Sequence, residues 1–243
     1  MRSMRPETPL ISVIIPVLNG AAYLAEAVAS VRSQAYPALE ILIVDDGSTD
    51  HTRDVALSQT PDCRYFYQEN QGPPVARNLG LQHARGDLVA LLDADDRWPS
   101  NKLDLQLPLL LADPDVDMVL GQTQYFRTHA ATADTPASVE YVEPFFIIQI
   151  GCALFRRTLF DKVGGFDPSL RYGDDLDFLL RTREQQIKTR YVPEVTILYR
   201  RHTHNMTIVE GHESLSLMTM MKRSLDRRRA QGIDHIPLAS WFE

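Results

Sequence analysis

The sequence predicts an α/β fold in which a mainly parallel sheet is flanked by helices. Short apolar runs without alternation are typical of strands that are buried on both faces. Segments whose apolar residues recur at helical spacing lie between these runs. Four such strands with intervening helices fit into fewer than a hundred residues, and alternation at that density favours a parallel sheet.

The first half of the chain supplies these four strands. The apolar runs predict strands over residues 10–15, 39–44, 63–67 and 88–92. The first strand is expected to stop at Pro16, because proline cannot donate a hydrogen bond to a sheet. Helical spacing predicts helices over residues 21–34, 51–58, 73–84 and 98–112, the last of them interrupted by Pro108.

The second half is less regular. Strands are expected over residues 116–125 and 191–199, the second interrupted by Pro193, and helices over residues 156–163 and 174–186. Residues 127–144 are rich in Ala, Thr, Asp and Pro and are predicted to form a loop. The last 30 residues contain one more helix, with an apolar stripe formed by Leu215, Met218, Met221 and Leu225.

The composition limits the function. The chain has 243 residues, 44% of them hydrophobic, and a formal net charge of −7, which argues against nucleic acid as a partner. It lacks the Gly-x-Gly-x-x-Gly dinucleotide turn and the Gly-Lys-Ser/Thr phosphate loop, so a dehydrogenase or P-loop nucleotidase is not expected. Two cysteines and no apolar run of membrane-spanning length favour a cytoplasmic protein.

The most informative stretch is Gly86-Asp-Leu-Val-Ala-Leu-Leu-Asp-Ala-Asp-Asp96. Its apolar centre predicts a buried strand, so Asp93, Asp95 and Asp96 would follow the carboxyl end of that strand. In an open parallel sheet, ligands bind at this edge. Closely spaced carboxylates repel one another, and a divalent cation with oxygen ligands relieves the repulsion. The alternative is a solvated acidic turn that ends the strand.

Short motifs occur in a definite order along the chain. They are Val13-Ile-Ile-Pro16 with Asn19; Val44-Asp-Asp-Gly-Ser-Thr-Asp50; Asn70-Gln-Gly72; Ala76-Arg-Asn-Leu-Gly80; Leu92-Asp-Ala-Asp-Asp96; Gly164-Gly-Phe-Asp167; Asp174-Asp-Leu-Asp177 with Arg181; and Tyr199-Arg-Arg-His202 with Asn205 and Thr207. In this order they closely resemble the family 2 glycosyltransferases of the GT-A fold. The resemblance implies a Rossmann-like sheet with a C-terminal acceptor-side subregion.

The resemblance also implies a division of the chain and a reaction. Residues 1–9 would be a tail, residues 10–207 a catalytic domain with a nucleotide-sugar half (10–98) and an acceptor half (99–207), and residues 208–243 a helical extension. The expected reaction transfers a sugar from a nucleotide diphosphate sugar to an acceptor hydroxyl, inverting the anomeric centre. UDP-sugars are the favoured donors, and a carbohydrate or lipid-linked molecule is the expected acceptor. The Gln-x-x-Arg-Trp motif of processive members is absent, which favours single additions.

For the donor, the resemblance implies a set of binding residues and a Mn²⁺ or Mg²⁺ ion. Asp95 would bind the metal with Asp96 as a possible substitute, and His202 or His204 would approach the metal or the diphosphate. The other donor contacts are expected from Pro16, Asn19, Asp46 (to the base), Arg77 (to the diphosphate) and Asp93 (near the ribose).

For the acceptor, the resemblance implies the acidic pair Asp174-Asp175, with Asp175 as general base and Asp174 as its neighbour. Each assignment has a simpler alternative. Asp46 could cap a helix, Arg77 could form a surface ion pair, and the acidic pair could only stabilise a helix N-terminus.

Two other classes of function were open from the sequence. A sugar nucleotidyltransferase would need a basic glycine-rich loop after the first strand, and Asn19-Gly-Ala-Ala22 contains no basic residue. A catalytically inactive, sugar-nucleotide-binding module would be expected to lose acidic residues, and all of them are present.

The C-terminal helix suggests a further partner. Lys222, Arg223 and Arg227 to Arg229 beside the apolar stripe predict peripheral contact with the inner face of an anionic membrane. A helix packed on the catalytic domain would have the same pattern. The sequence gives no prediction of the oligomeric state.

Overall fold

The computed structural model describes residues 8–129, 138–145, 149–203, 205 and 213–233, without the side chains of residues 213–217. Its strands are β1 (Ile11–Val17), β2 (Leu39–Asp45), β3 (Cys63–Tyr67), β4 (Leu88–Leu91), β5 (Met118–His129), β6 (Ser138–Tyr141), β7 (Leu154–Arg156) and β8 (Thr189–Arg200). Its helices are α1 (Leu24–Arg32), α2 (Thr52–Ser58), α3 (Pro73–His83), α4 (Lys102–Ala112), α5 (Thr158–Val163), α6 (Asp174–Glu184) and α7 (Glu213–Ala230).

The strands form one eight-stranded sheet in the order β3-β2-β1-β4-β7-β5-β6, with β8 added beside β5. The pairs β3-β2, β2-β1, β1-β4 and β5-β8 are parallel, whereas β7 is antiparallel to both β4 and β5. This confirms the predicted mixed α/β fold with a mainly parallel sheet. The strand order reverses at β1, between β2 and β4, and such a switch point opens a crevice for ligands.

The innermost strands are apolar except for Ser12, whose hydroxyl donates to Glu40, because helices cover both faces of the sheet. Every residue of β1 and of β4 is buried, as the uninterrupted apolar runs predicted. The two strands pair from Ile11 opposite Leu88 to Ile14 opposite Leu91, so their carboxyl ends come out side by side. The loop that follows β1 and contains Asn19 therefore lies at the same edge of the sheet as the acidic stretch after Leu92.

The prediction that Pro16 ends the first strand was wrong. Pro16 lies inside β1, opposite Val44 of β2. Leu92 N donates to Ile14 O, whereas Asp46 N donates to Val17 O. The backbone N–H and C=O groups of even-numbered residues of β1 therefore point toward β4, and those of odd-numbered residues point toward β2. The nitrogen of Pro16 consequently faces the β4 side, beyond the last paired residue of β4, and its missing N–H removes no ladder hydrogen bond.

Two other prolines also fail to interrupt their elements. Pro108 lies within α4, on the exposed face of the helix, where water can satisfy the carbonyl that it leaves unpaired. Pro193 lies within β8, and the register between β8 and β5 shifts between Leu120 and Gln122, at the same level. Among the described strands β8 pairs with β5 alone, apart from an isolated bridge between Leu198 and Arg97, so Pro193 lies in an edge strand.

The predicted loop over residues 127–144 was partly wrong. β5 continues to His129, and β6 pairs with it in antiparallel fashion from Phe126 opposite Tyr141 to His129 opposite Ser138. All four residues of β6 are exposed, which explains why their composition resembles that of a loop.

The C-terminal helix α7 packs on α6 through a face that the apolar stripe does not mark. Met220 and Ser224 are buried, whereas Met218, Met221 and Leu225 of the predicted stripe are exposed. The side chain of Leu215 lies outside the described residues. In the described ranges no helix combines the length and the apolar character that a bilayer span requires.

A glycine sets the distance between α3 and β1, which suggests the first experiment. A Cβ at Gly80 would lie 2.3 Å from Ile14 Cγ2, in the fully buried core. We expect Gly80→Ala to lower the free energy of unfolding by about 1 to 3 kcal/mol through overpacking, against a gain of at most about 1 kcal/mol in helix propensity. Chemical denaturation measures the difference.

The control is Gln82→Ala, an exposed position on the same helix, which should change stability by less than about 0.5 kcal/mol. Wild-type stability of Gly80→Ala would mean that α3 can move away from β1 at little cost.

Candidate active site

The loops that follow β1 and β2 are joined by the Asn19 side chain. Asn19 N donates to Ser48 Oγ at 2.8 Å, and Thr49 N donates to Asn19 Oδ1 at 2.8 Å. Asn19 has a φ of 51°, a left-handed conformation that asparagine tolerates better than most residues. Asn19 thus fixes the rim of the crevice, three residues beyond the buried Pro16.

The Asp46 carboxylate organises the loop after β3. Its Oδ1 accepts hydrogen bonds from Gln68 Nε2 at 2.7 Å and Gln71 N at 2.9 Å, and its Oδ2 accepts one from Gly72 N at 2.9 Å. Asp46 is buried and does not cap α2, because Asp50 accepts the hydrogen bond from Thr52 N at 2.9 Å. Contact between Asp46 and a base stays a prediction.

The Arg77 guanidinium joins two carboxylates that are far apart in the sequence. Arg77 Nη2 donates to Asp93 Oδ1 at 3.0 Å, and Arg77 Nη1 forms a short ion pair with Asp174 Oδ2. Arg77 and Asp174 are buried, whereas 40% of the Asp93 side chain is exposed. The surface ion pair considered for Arg77 is therefore a buried one, and it brings residues of both halves of the chain together.

Asp174 and Asp175 differ in their surroundings although they are adjacent at the start of α6. Asp174 is held by Arg77, whereas Asp175 Oδ1 accepts a hydrogen bond from Leu176 N at 2.8 Å. Burial, reinforced by the Asp174 charge, raises the pKa of Asp175 to about 6. Asp175 is therefore a carboxylate whose affinity for a proton suits a general base near neutral pH.

Asp95 and His202 form a second cluster at the same edge. His202 Nε2 lies 3.0 Å from Asp95 Oδ2, and the His202 ring stacks on Tyr23 with 5.1 Å between ring centroids. Asn205 Nδ2 lies 3.4 Å from Asp95 Oδ2 and donates to Arg200 O at 3.0 Å. The structure thus brings together Asp95 and His202, and the approach of His202 to a metal or diphosphate stays a prediction. His204 lies outside the described residues.

Asp96 is engaged by the protein itself. Its Oδ1 accepts a hydrogen bond from Arg200 N at 2.8 Å, and its Oδ2 accepts one from Gln149 Nε2 at 3.3 Å. Burial and the nearby Asp95 charge raise the pKa of Asp96 well above its usual value. These contacts give Asp96 a role in holding the loop, and its binding to a metal stays a prediction.

The sequence reasoning missed the residues that support Asp95 from behind. Arg200 Nε donates to Asp95 O at 2.8 Å, and Arg200 also forms a short ion pair with Glu26 of α1. Arg97 Nη1 donates to the other Glu26 oxygen at 2.6 Å. Arg200 belongs to the Tyr-Arg-Arg-His motif and could have been selected from it, but nothing in the sequence marks Glu26, which lies 174 positions away.

The residues around Asp95 fit a divalent cation whose coordination sphere substrate oxygens would complete. In the described ranges no group of three or more His, Cys, Asp and Glu side chains is arranged to hold a metal ion. Mg²⁺-type sites commonly use only one or two carboxylates, the remaining ligands being water and substrate phosphates. Asp95 matches that arrangement as one partly exposed carboxylate, and the partly exposed His202 beside it could add a nitrogen ligand.

Solved structures support the fold. The chain superimposes on the mannosyltransferase PcManGT from Pyrobaculum calidifontis, solved with GDP-Man and Mn²⁺, with a TM-score of 0.70 and 22% identity over 91% of this chain and 65% of that one. It also superimposes on TarS 1-349 of S. aureus with UDP-GlcNAc, with a TM-score of 0.68 and 18% identity over 83% of this chain and 61% of that one.

Curated relatives and a family model support the assignment to a family. An uncharacterized glycosyltransferase of Rickettsia typhi is 35% identical over 70% of this chain and 57% of its own length. The putative teichuronic acid biosynthesis glycosyltransferase TuaG of Bacillus subtilis is 44% identical over 42% of each chain. The chain thus spans about half the length of these relatives. The model of Glycosyl transferase family 2 matches residues 12–164, well over half of the sequence, and the chain therefore belongs to glycosyl transferase family 2.

Proposed function

We propose that this protein is an inverting, metal-dependent glycosyltransferase that moves a sugar from a nucleotide diphosphate sugar to an acceptor hydroxyl. The observation that carries the proposal is the Arg77 guanidinium between Asp93 and Asp174. It connects the acidic end of β4, where a donor would bind, to the acidic start of α6, where an acceptor would lose its proton. Transfer requires both to act on one anomeric carbon.

The donor side would stabilise the leaving group. As the bond between the anomeric carbon and the β-phosphate oxygen breaks, its electron pair passes to the nucleoside diphosphate. Mn²⁺ or Mg²⁺ held by Asp95 and His202 would supply positive charge to those oxygens. Arg77 is a fixed cation beside Asp93 and would add to that field.

The acceptor side would supply the base. The acceptor oxygen forms the new bond to the anomeric carbon while its proton passes to Asp175. Asp174 is less suited to this role, because its Oδ2 is engaged in the buried ion pair with Arg77. A single displacement with the base opposite the leaving group inverts the anomeric centre.

The finer assignments are part of the same proposal. A UDP-type donor rests on the Asp46 carboxylate, and a role in polysaccharide or glycolipid synthesis rests on the similarity to TuaG. The division at residue 98 places the donor residues from Pro16 to Asp96 in the first part (10–98). The acidic pair lies in the second part (99–207).

A lipid-linked acceptor would bring the protein to the inner face of a membrane. In α7, Arg223 and Arg227 form ion pairs with the rest of the protein. The exposed apolar and basic side chains of α7 that the structure describes and that remain for such contact include Met218, Met221, Lys222, Leu225 and Arg229, and the acidic Asp226 is exposed among them.

The metal assignment is tested with a panel of nucleotide sugars. We expect the wild-type protein to release nucleoside diphosphate with Mn²⁺ or Mg²⁺ and not with chelator. Asp95→Ala should lose metal-dependent binding of nucleoside diphosphate in calorimetry, and about 10²- to 10³-fold in turnover. Asp87→Ala, an exposed position at the opposite end of β4, is the control.

Unchanged metal-dependent affinity in Asp95→Ala would remove Asp95 from the metal site. Release of pyrophosphate from a nucleoside triphosphate and a sugar phosphate would instead identify a nucleotidyltransferase.

The base assignment is tested with two isosteric variants. Asp175→Asn should lower turnover at saturating donor by about two to four orders of magnitude, with donor and metal affinity within a factor of a few. Asp174→Asn should cost less.

Wild-type turnover should also fall as the pH drops below about 6, because the Asp175 base, whose pKa is raised to about 6, becomes protonated. An inactive Asp174→Asn beside an active Asp175→Asn would move the base by one residue.

Asp175 should also reduce stability at neutral pH. Its pKa is raised from 3.8 to about 6 on folding, so between these values the folded protein binds a proton that the unfolded chain does not. Stability therefore falls as the pH rises through that window. We expect Asp175→Asn to be more stable than the wild type by about 1 to 3 kcal/mol at pH 7 and equal to it below about pH 4.

Denaturant unfolding at several pH values measures this difference, with Asp87→Asn as the exposed control. A stability difference that does not change with pH would show that Asp175 titrates normally.

A further inference from the structure

Helix α7 holds α6, the helix that begins with the acidic pair, at two points. Arg227 Nη1 donates to Asp177 Oδ1 at 2.8 Å, in the first turn of α6. Arg227 Nε and Nη2 donate to the two Glu184 oxygens at 2.8 and 2.9 Å, at the last residue of α6. Both carboxylates are almost fully buried, with 1% and 4% of their side chains exposed. One guanidinium therefore fixes both ends of the helix.

The first turn of α6 is also tied to the turn that follows α5. Arg181 Nε donates to the second Asp177 oxygen at 2.9 Å, and its Nη1 and Nη2 donate to Val163 O and Gly165 O, each at 2.7 Å. Asp177 thus shares its charge between an arginine of its own helix and Arg227 of α7.

A second arginine of α7 reaches the same turn. Arg223 forms a short ion pair with Asp167, whose Oδ1 accepts hydrogen bonds from Ser169 N and Oγ. The neighbouring Phe166 exchanges two hydrogen bonds with the Asn78 side chain of α3, at 2.7 and 2.8 Å. Asn78 follows Arg77 directly, so α7 supports both partners of the Arg77–Asp174 pair.

These contacts matter because the position of a general base must be held closely. A displacement of about 1 Å can reduce a rate by about 100-fold. α6 is only 11 residues long and carries Asp174, Asp175 and Asp177 in its first turn. These like charges repel one another, so the first turn of α6 needs positively charged partners to stay in place. If Asp177 and Glu184 had no counter-charge, the free-energy cost of burying their carboxylates would favour movement of α6 toward solvent.

We propose that α7 is a positioning element of the active site, and that Arg227 and Arg223 are positioning residues that hold Asp175 in place. The inference rests on the proposed function, since it assigns a rate effect to the placement of the acceptor-side base. It gives the basic residues of α7 a task within the protein, distinct from contact with a membrane.

The test compares Arg227→Met, which keeps an unbranched, largely apolar side chain and removes the guanidinium charge, with Arg227→Lys and with Arg190→Met. Arg190 is exposed on β8 and serves as the control. We expect Arg227→Met to lower kcat by about 10- to 100-fold while donor KM and Mn²⁺-dependent affinity for nucleoside diphosphate change less than about threefold. Arg227→Lys should recover part of the loss, and Arg190→Met should behave as wild type.

A double-mutant cycle separates positioning of the base from a general loss of structure. In the Asp175→Asn background, Arg227→Met should have no further effect on kcat, because the base that it positions is already absent. Full additivity of the two losses, or wild-type kcat in Arg227→Met, would overturn the inference. If Arg227→Met does not fold, Arg223→Met carries the same test, since its Asp167 partner is partly exposed.

The two proposals fail in different ways. If Asp175→Asn alone keeps full turnover, the assignment of the base fails whatever α7 does. If Asp175→Asn is inactive and Arg227→Met is fully active in folded protein, only the role of α7 fails.

Discussion

The arrangement of the site depends on one buried cation, the Arg77 guanidinium. Arg77 binds Asp93 and Asp174, which lie 16 and 97 positions away, and its charge also lies 5.7 Å from the centre of the Phe166 ring. Its Nε has no hydrogen-bond partner among the described residues. A buried ion pair contributes little net stability, but loss of one partner leaves an uncompensated charge and costs about 3 to 5 kcal/mol. The pairing therefore specifies where α6 lies relative to the end of β4.

Adjacent carboxylates divide their roles at two places in the site. Asp174 is occupied by Arg77, which leaves Asp175 with a raised pKa and one backbone hydrogen bond. Asp96 is occupied by Arg200 N and Gln149, which leaves Asp95 facing His202. In each case contacts within the protein occupy one carboxylate of the pair. The other carboxylate is the one to which the proposed function assigns a chemical role.

The region around the acidic pair Asp174-Asp175 is held by side-chain contacts rather than by the sheet. The family model ends at residue 164, whereas the acidic pair and α7 lie beyond it. Three arginines, Arg181, Arg223 and Arg227, form ion pairs with the acids of this region and connect α6 and α7 to the turn after α5. The parallel strands fix the position of the acidic stretch after β4 through backbone hydrogen bonds, whereas the position of the acidic pair depends on side-chain charges.

The sequence by itself determined the parallel strands, because burial on both faces leaves a continuous apolar run, and it determined which acids follow their carboxyl ends. It also marked Asp95, His202, Asp174 and Asp175 through motif order. Only the tertiary structure decided whether Pro16, Pro108 and Pro193 interrupt their elements. The outcome depends on whether the side of the backbone that lacks the N–H faces a hydrogen-bonding partner. The tertiary structure also decided which acid of each pair is held and which face of α7 is buried. Those outcomes depend on contacts such as Glu26 with Arg200, 174 positions apart, which no local pattern encodes.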